Sequence, residues 1–268
     1  MTMKSITFTM SKGGVGKSLI TSNVGAALAE RGEKVVLVEG DPNRPIQTIL
    51  GVEVPSDGIK LDDVIRKDMD VERALHPTRF ENLFLIPSGI SLEDYLEINP
   101  EIFARKLCEL KTDFMLVDVP FPLGSAALLS LGISEYFFII LTEDEIVLCI
   151  ESAIDTLRLG SYLLKCVPLG FILNRIKTPE KFTGEFLKDL EELLEIPCVA
   201  KIKEDAKIWK SYGGWKSKKA FLAYKEYKKS QFAKSVDEIA DMLTGSLPKP
   251  EKANILEFVQ KVIKPIVS

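Results

Sequence analysis

Short runs of apolar residues, each closed by glycine, proline or an acidic turn, set the rhythm of the chain. Ile6–Met10, Lys34–Val38, Leu83–Ile86, Asp113–Asp118, Glu135–Leu141, Pro168–Arg175 and Ile196–Ile202 read as strands. The Lys34–Val38 run is apolar at nearly every position, which marks a strand buried on both faces and hence a parallel sheet. Between the strands lie segments of helical period. Leu19–Ala29 carries Ile20, Val24, Ala27 and Leu28 on one face. Pro100–Leu110 opens with a proline, as helices favour. Ile146–Leu164, Phe182–Leu194 and Ser235–Leu243 follow, with shorter helical pieces at Ile46–Leu50, Leu61–Arg66 and Val71–Leu75. The alternation predicts an α/β fold: a Rossmann-like, doubly wound, mostly parallel sheet with helices on both faces. It fills one domain over residues 1–244, with a Gly/Pro linker at 245–251 and an amphipathic helix at 252–268.

One turn in this pattern carries chemistry. The first strand runs into Ser11-Lys12-Gly13-Gly14-Val15-Gly16-Lys17-Ser18 and straight on into the first helix. Strand, glycine-rich turn, helix is the setting of a phosphate-binding loop. Glycines let successive N–H groups converge on one anion, and the helix start adds partial positive charge. Lys17 reaches the β- and γ-phosphates, and the Ser18 hydroxyl completes a Mg²⁺ shell. The Lys34–Val38 strand ends in Glu39-Gly40-Asp41, carboxylates beside that loop at a strand's C-terminal end. The Asp113–Asp118 strand ends in an aspartate placed to steady Mg²⁺ through its water shell. A solvated turn acid remains the plain alternative for Asp41.

Composition narrows the picture little. The chain has 268 residues and a net charge of −4, enough for one full α/β core and silent on partners. No apolar run approaches the roughly 18 residues of a membrane span, and Met1 leads into a strand rather than a cleavable signal. The four cysteines are scattered through apolar segments without a CxxC pair, so reduced, buried thiols are expected. His76 stands alone beside Pro77 and reads as a surface turn residue.

The loop is KGGxGKS, with Lys12 ahead of the glycines, and it resembles the deviant Walker A motif of the MinD/ParA family of P-loop ATPases. The resemblance spans about residues 3–205 and 230–244. It implies ATP/ADP and Mg²⁺ as cofactors, with slow ATP hydrolysis coupled to a nucleotide-sandwich homodimer. Lys12 would then reach the phosphates held by the partner subunit, and Asp41 would orient the attacking water. Lys12, Lys17 and Asp41 are the implied catalytic residues, and Ser18, Asp41 and Asp118 the metal set. Lys12, Gly13, Gly14, Val15, Gly16, Lys17, Ser18 and Leu19 would hold the nucleotide. Asn174 in LGFILNR would read adenine, and Asp205 would close the base pocket. A turn-closing asparagine is the alternative for Asn174. Four features depart from the family pattern: Glu39 for the first aspartate of the D-x-D switch, Leu19 for a threonine, Phe121-Pro122 for a small pair, and Lys203 for a proline.

Two further segments bear on partners. Between Ala206 and Lys229, aromatic residues interleave with lysines and only Glu226 is acidic, which suits nucleic acid, an anionic bilayer or simple solvation. In the C-terminal segment Ile255, Leu256, Phe258, Val259, Val262, Ile263, Ile266 and Val267 fall on one half of a helix. MinD-like proteins carry such a tail, which implies reversible attachment to an anionic membrane surface, a peripheral place on the inner face of the cell membrane, and a task in spatial positioning or cell division. The alternatives are a helix packed on its own core, a ParA-like ATPase that binds DNA non-specifically, and a nucleotide-dependent module for a protein partner with little hydrolysis.

Overall fold

The structure, a computed structural model, describes residues 3–10, 13–91, 97–118, 125–208, 222–252 and 254–267. The apolar runs become one eight-stranded sheet: β1 (Lys4–Met10), β2 (Val35–Glu39), β3 (His76–Pro77), β4 (Leu83–Ile86), β5 (Phe114–Asp118), β6 (Tyr136–Thr142), β7 (Val167–Ile176) and β8 (Cys198–Lys203). The strand order is β3-β4-β2-β5-β1-β6-β7-β8, and every pairing is parallel except β3 with β4. Every residue of β2, β5 and β6 is buried, because helices cover both faces. The order reverses around β1, so the C-terminal ends of β1, β5 and β6 frame a crevice where doubly wound sheets bind ligands.

One face packs Ile6, Phe8, Leu37 and Leu116 under α1 (Lys17–Glu30), α2 (Pro45–Leu50), the short α8 (Ala223–Glu226) and α9 (Gln231–Thr244). The other packs Val36, Met115, Val117 and Phe137 under α3 (Leu61–Arg66), α4 (Pro100–Cys108), α5 (Ser125–Ile133), α6 (Ile146–Leu157) and α7 (Gly184–Leu194). Helix α1 is buried nearly all round. It carries Thr21, Ser22 and Asn23 inside by bonding each side chain to the carbonyl one turn back.

Four local features differ from the pattern-based expectation. Helix α9 starts at Gln231 rather than Ser235, because Ser230 caps it by accepting the Ala233 N–H. The helix expected to run to Leu164 loosens into a π-helical turn over Arg158–Leu163, where Gly160 lies against the Phe137 ring. His76 is no mere surface turn residue, since it sits in an antiparallel edge strand with Nε2 2.8 Å from the Ile59 carbonyl. The fourth is α5, which gives no helical period because it has no polar face. Its inner side meets β1, where Thr7 Oγ1 lies 2.7 Å from Ser134 Oγ and donates to Ser130 O at 3.2 Å.

The outer side of α5 is covered by the C-terminal helix, formed by Ile255–Phe258, a π-helical turn Val259–Ile263 and Lys264–Val267. The segment 245–251 is not a free tether: Tyr136 donates to Pro248 O at 2.8 Å as the chain rounds the N-terminal edge of the sheet. Lys252 is buried, and its ammonium donates to Leu131 O at 2.6 Å and to Ser134 O, capping the C-terminal end of α5. Val259 and Ile263 are buried against α4 and α5, and Lys264 donates to Glu101 at 3.0 Å. The C-terminal segment is helical from Ile255, and that helix is docked on the domain.

Ile263 is fully buried and touches Gly132 of α5. Ile263→Ala therefore loses about 2–4 kcal/mol of stability in urea denaturation, the cost of a large-to-small change in a core that cannot collapse around it. A loss under about 1 kcal/mol would mean the docking contact carries little weight.

Candidate nucleotide site

The loop after β1 curls because Gly14 and Gly16 take left-handed conformations, φ +78 and +90. Gly16 is the N-cap of α1, so the helix start faces the crevice. A cavity of about 320 Å³ opens there, lined by Met10, Gly13, Gly14, Val15, Gly16, Lys17, Ser18, Leu19, Asp41, Asn43 and Pro45. Asp118, at the end of β5, is fully buried behind this lining and meets it through Lys17 and Ser18. The Lys17 ammonium donates to Asp118 Oδ1, and the Ser18 hydroxyl donates to Oδ2 at 2.6 Å. Burial pushes the Asp118 carboxyl above its ordinary range, against the pull of Lys17.

Glu39 is the register neighbour of Asp118 across β2 and β5. Its Oε1 accepts the Gln47 N–H at 2.9 Å, while Oε2 is buried without a hydrogen-bond partner. Burial, with Asp118 and Asp41 adding like charge, raises its pKa to about 8. Asp41 stands at the rim, where its Oδ1 accepts from Asn43 N at 2.9 Å and Asn43 Nδ2 at 3.0 Å, the local turn that aims it.

A family profile described as an AAA domain matches residues 3–154, more than half of the chain. An uncharacterized ATP-binding protein of Methanocaldococcus jannaschii is 30% identical over 262 residues, covering 97% of this chain and 95% of the relative. The chain belongs to the MinD/ParA family of P-loop ATPases. Two solved MinD structures share its fold. The Pyrococcus horikoshii protein, complexed with Mg-ADP, has a TM-score of 0.72 at 26% identity and covers 90% of this chain and 96% of its own. The Pyrococcus furiosus protein has a TM-score of 0.75 at 27% identity and covers 91% and 98%.

Most of the family positions converge. Gly13 to Leu19, Asp41 and Asp118 form one site. Lys12 and the Phe121-Pro122 pair lie outside the described residues. Asp205 does not join the cavity: its Oδ1 accepts the Lys207 N–H at 2.8 Å in a separate surface hollow. Its neighbour Glu204 is tied in instead, through Arg175. Asn174 is buried at the end of β7, and its Nδ2 donates to Val15 O at 2.6 Å. The next residue, Arg175, donates to Gly14 O at 3.3 Å. Sequence reading passed over Arg175 and Glu204; the only signal was a charged residue directly after the family asparagine.

The lysine-rich segment is described only at its ends. There Lys225 and Lys228 pair with Glu30 of α1, and the Tyr224 N–H donates to Asn23 Oδ1 at 2.7 Å. Tyr224, Lys225 and Lys228 thus hold this end of the segment against α1.

Glu39→Gln tests the neutral carboxyl. The folded state holds the proton up to about pH 8, the unfolded chain only to about 4.5. Folding is therefore favoured below 4.5 and loses stability as pH rises between those values. Glutamine cannot ionise, so its stability relative to the parent should grow by about 3–5 kcal/mol from pH 4.5 to 8. A constant difference across that range in urea melts would show that Glu39 is ionised throughout.

Proposed function

We propose that the chain binds Mg·ATP in this cavity and hydrolyses it slowly to ADP and phosphate as a homodimer. The observation that carries the reading is the hydrogen-bonded Lys17–Ser18–Asp118 cluster at a glycine-lined cavity, with Asp41 at its rim. The donor set fits a hard cation: the Ser18 hydroxyl and the Asp118 carboxylate are adjoining oxygen donors. Ser18 and Asp118 would hold Mg²⁺, which supplies charge neutralisation at the phosphates. The remaining work falls to the chain's own groups. Lys17 and the loop N–H groups grip the phosphates and stabilise charge that develops on them. Asp41 accepts a hydrogen bond from the attacking water and so orients it. Lys12 of the second copy adds a cation at the transferring group. Leu19 faces the cavity without a hydroxyl, which supports slow turnover and gives weight to a second reading, an ATP-dependent interaction module with little hydrolysis.

Self-association has its own support. Val147 and Leu148, at the start of α6, are 65% and 58% exposed beside the C-terminal end of β6, on the same edge as the phosphate loop. An apolar pair there suits a second copy that closes over the nucleotide. Phosphate release and ATP binding test the assignment together. Lys17→Ala should lose ATP binding by at least about a hundredfold, since it removes the one buried ammonium at the phosphates. Lys12→Ala should keep monomer binding but show no ATP-dependent dimer in sedimentation. Wild-type ATP affinity in Lys17→Ala would sink the reading; a normal ATP dimer in Lys12→Ala would remove the trans-acting lysine.

In this reading the ATP dimer also meets an anionic membrane surface through the undocked C-terminal helix, a positioning device of the kind used in cell division. Leu256 and Ile266, 40% and 47% exposed while the helix is docked, are the first apolar contacts available to lipid. Vesicle flotation should recover the full chain with ATP but not ADP, and never a chain truncated at 251. Full-length protein that ignores anionic vesicles in ATP would leave the helix a purely internal element.

A further inference from the structure

Two neighbouring side chains at the end of β7 hold two neighbouring carbonyls of the phosphate loop. Asn174 Nδ2 donates to Val15 O at 2.6 Å, and Arg175 Nη1 donates to Gly14 O at 3.3 Å. Neither residue lines the cavity, so both reach the loop from its outer side. A trans peptide unit is planar, and its C=O and N–H point in opposite directions. Holding the Gly14 carbonyl outward therefore turns the Val15 N–H inward. Holding the Val15 carbonyl does the same for the Gly16 N–H. These are the N–H groups that a glycine-rich loop offers to phosphate.

The arrangement around Arg175 is built for this reach. Its backbone is left-handed at φ +56, a conformation disfavoured for any residue with a β-carbon. The guanidinium is held by Glu204, at 3.3 Å from Nε and 3.2 Å from Nη2, and lies 3.8 Å from Asp144. Asp144 is fixed in turn by Lys177, 2.9 Å away, and its neighbour Glu143 accepts the Lys177 and Thr178 N–H groups at 2.6 and 2.8 Å. The loops after β6, β7 and β8 are thus joined through one arginine that ends on the phosphate loop.

We propose that Asn174 and Arg175 are positioning residues, a clamp that presets the Val15 and Gly16 N–H groups for the phosphate chain of a nucleotide. The role differs from the adenine reading that the family resemblance implies for Asn174, and it rests on the phosphate-site assignment above. The two roles separate by ligand. A clamp acts on any polyphosphate, with or without a base, whereas a base reader acts on the choice between ATP and GTP.

The test is calorimetric binding of pyrophosphate, ATP and GTP to the full chain and to Asn174→Ala, Arg175→Ala, Arg175→Gly and Lys17→Ala. Each clamp variant should weaken pyrophosphate and ATP alike, on the order of tenfold, and leave the ATP-to-GTP ratio unchanged. Arg175→Gly relieves the left-handed backbone yet lacks the guanidinium, so it should fail like Arg175→Ala; recovery in Arg175→Gly would make the residue a matter of backbone alone and overturn the clamp. Unchanged pyrophosphate affinity in folded Arg175→Ala, or a collapsed ATP-to-GTP ratio with unchanged pyrophosphate affinity in Asn174→Ala, would also overturn it. Melting temperatures accompany each variant; where Asn174→Ala fails to fold, the two Arg175 variants decide. Parent protein that binds neither pyrophosphate nor ATP overturns the phosphate site itself. Parent binding that Lys17→Ala abolishes and the clamp variants keep overturns the clamp only.

Discussion

The contact of Lys17 and Ser18 with Asp118 is the constraint on which the site is arranged. An ammonium and a carboxylate taken out of water lose several kcal/mol of hydration each, and only mutual contact with full hydrogen bonding offsets that. Both Asp118 oxygens are used, one by each neighbour. A second ionised carboxylate in the next strand would undo the balance, and Glu39 answers by keeping its proton to about pH 8. The buried cluster thus sets one lysine against two carboxyl groups, of which Glu39 stays neutral to about pH 8. A nucleotide tail brings several further negative charges. Lys17 cannot match them alone, so the proposed reading also needs the loop N–H groups and a divalent cation.

Helix α5 connects this cluster to the far side of the molecule. It begins soon after Asp118, and its inner side shares hydroxyl contacts with β1, the strand that carries the loop. Its outer side has no polar residues to show to water, and the C-terminal helix covers it. Lys252 completes the arrangement by donating to the last carbonyls of α5, which suits a cation at the negative end of a helix. One nine-residue helix therefore packs between the nucleotide strand and the tail.

The same helix explains what could be read from the chain alone. Buried parallel strands announce themselves as unbroken apolar runs, so the sheet and its helices were legible almost to the residue in α3 and β5. Helix α5 is short and carries no charged residue to mark a face, so it escaped notice, whereas the equally buried α1 was legible because a phosphate loop demands a helix after it. The loop and its acids were legible because phosphate chemistry demands fixed spacings. Arg175 and Glu204 were not, because a clamp on a carbonyl needs only a donor of the right reach, and no spacing encodes it. Asp205 fits the pattern by its position, and its carboxylate accepts the Lys207 N–H in its own turn.

Docking of the tail bears on how ATP could govern membrane contact. Undocking uncovers Val259 and Ile263, about 2 kcal/mol each, and breaks the Lys252 hydrogen bonds, about 1.5–3 kcal/mol more. A bilayer offers the released helix much the same apolar burial. The helix exchanges one apolar cover for another, but the α4 and α5 side chains it leaves behind lose theirs, so a single helix does not gain by leaving. Two helices in one dimer change the sum, because the second insertion is effectively intramolecular and can raise avidity by roughly a hundredfold or more, near 3 kcal/mol. That gain is smaller than the cost of releasing one tail, and two tails must be released. A tail held by contacts of this size stays on the core unless a second copy and lipid both contribute, and that is the condition the proposed membrane attachment has to meet.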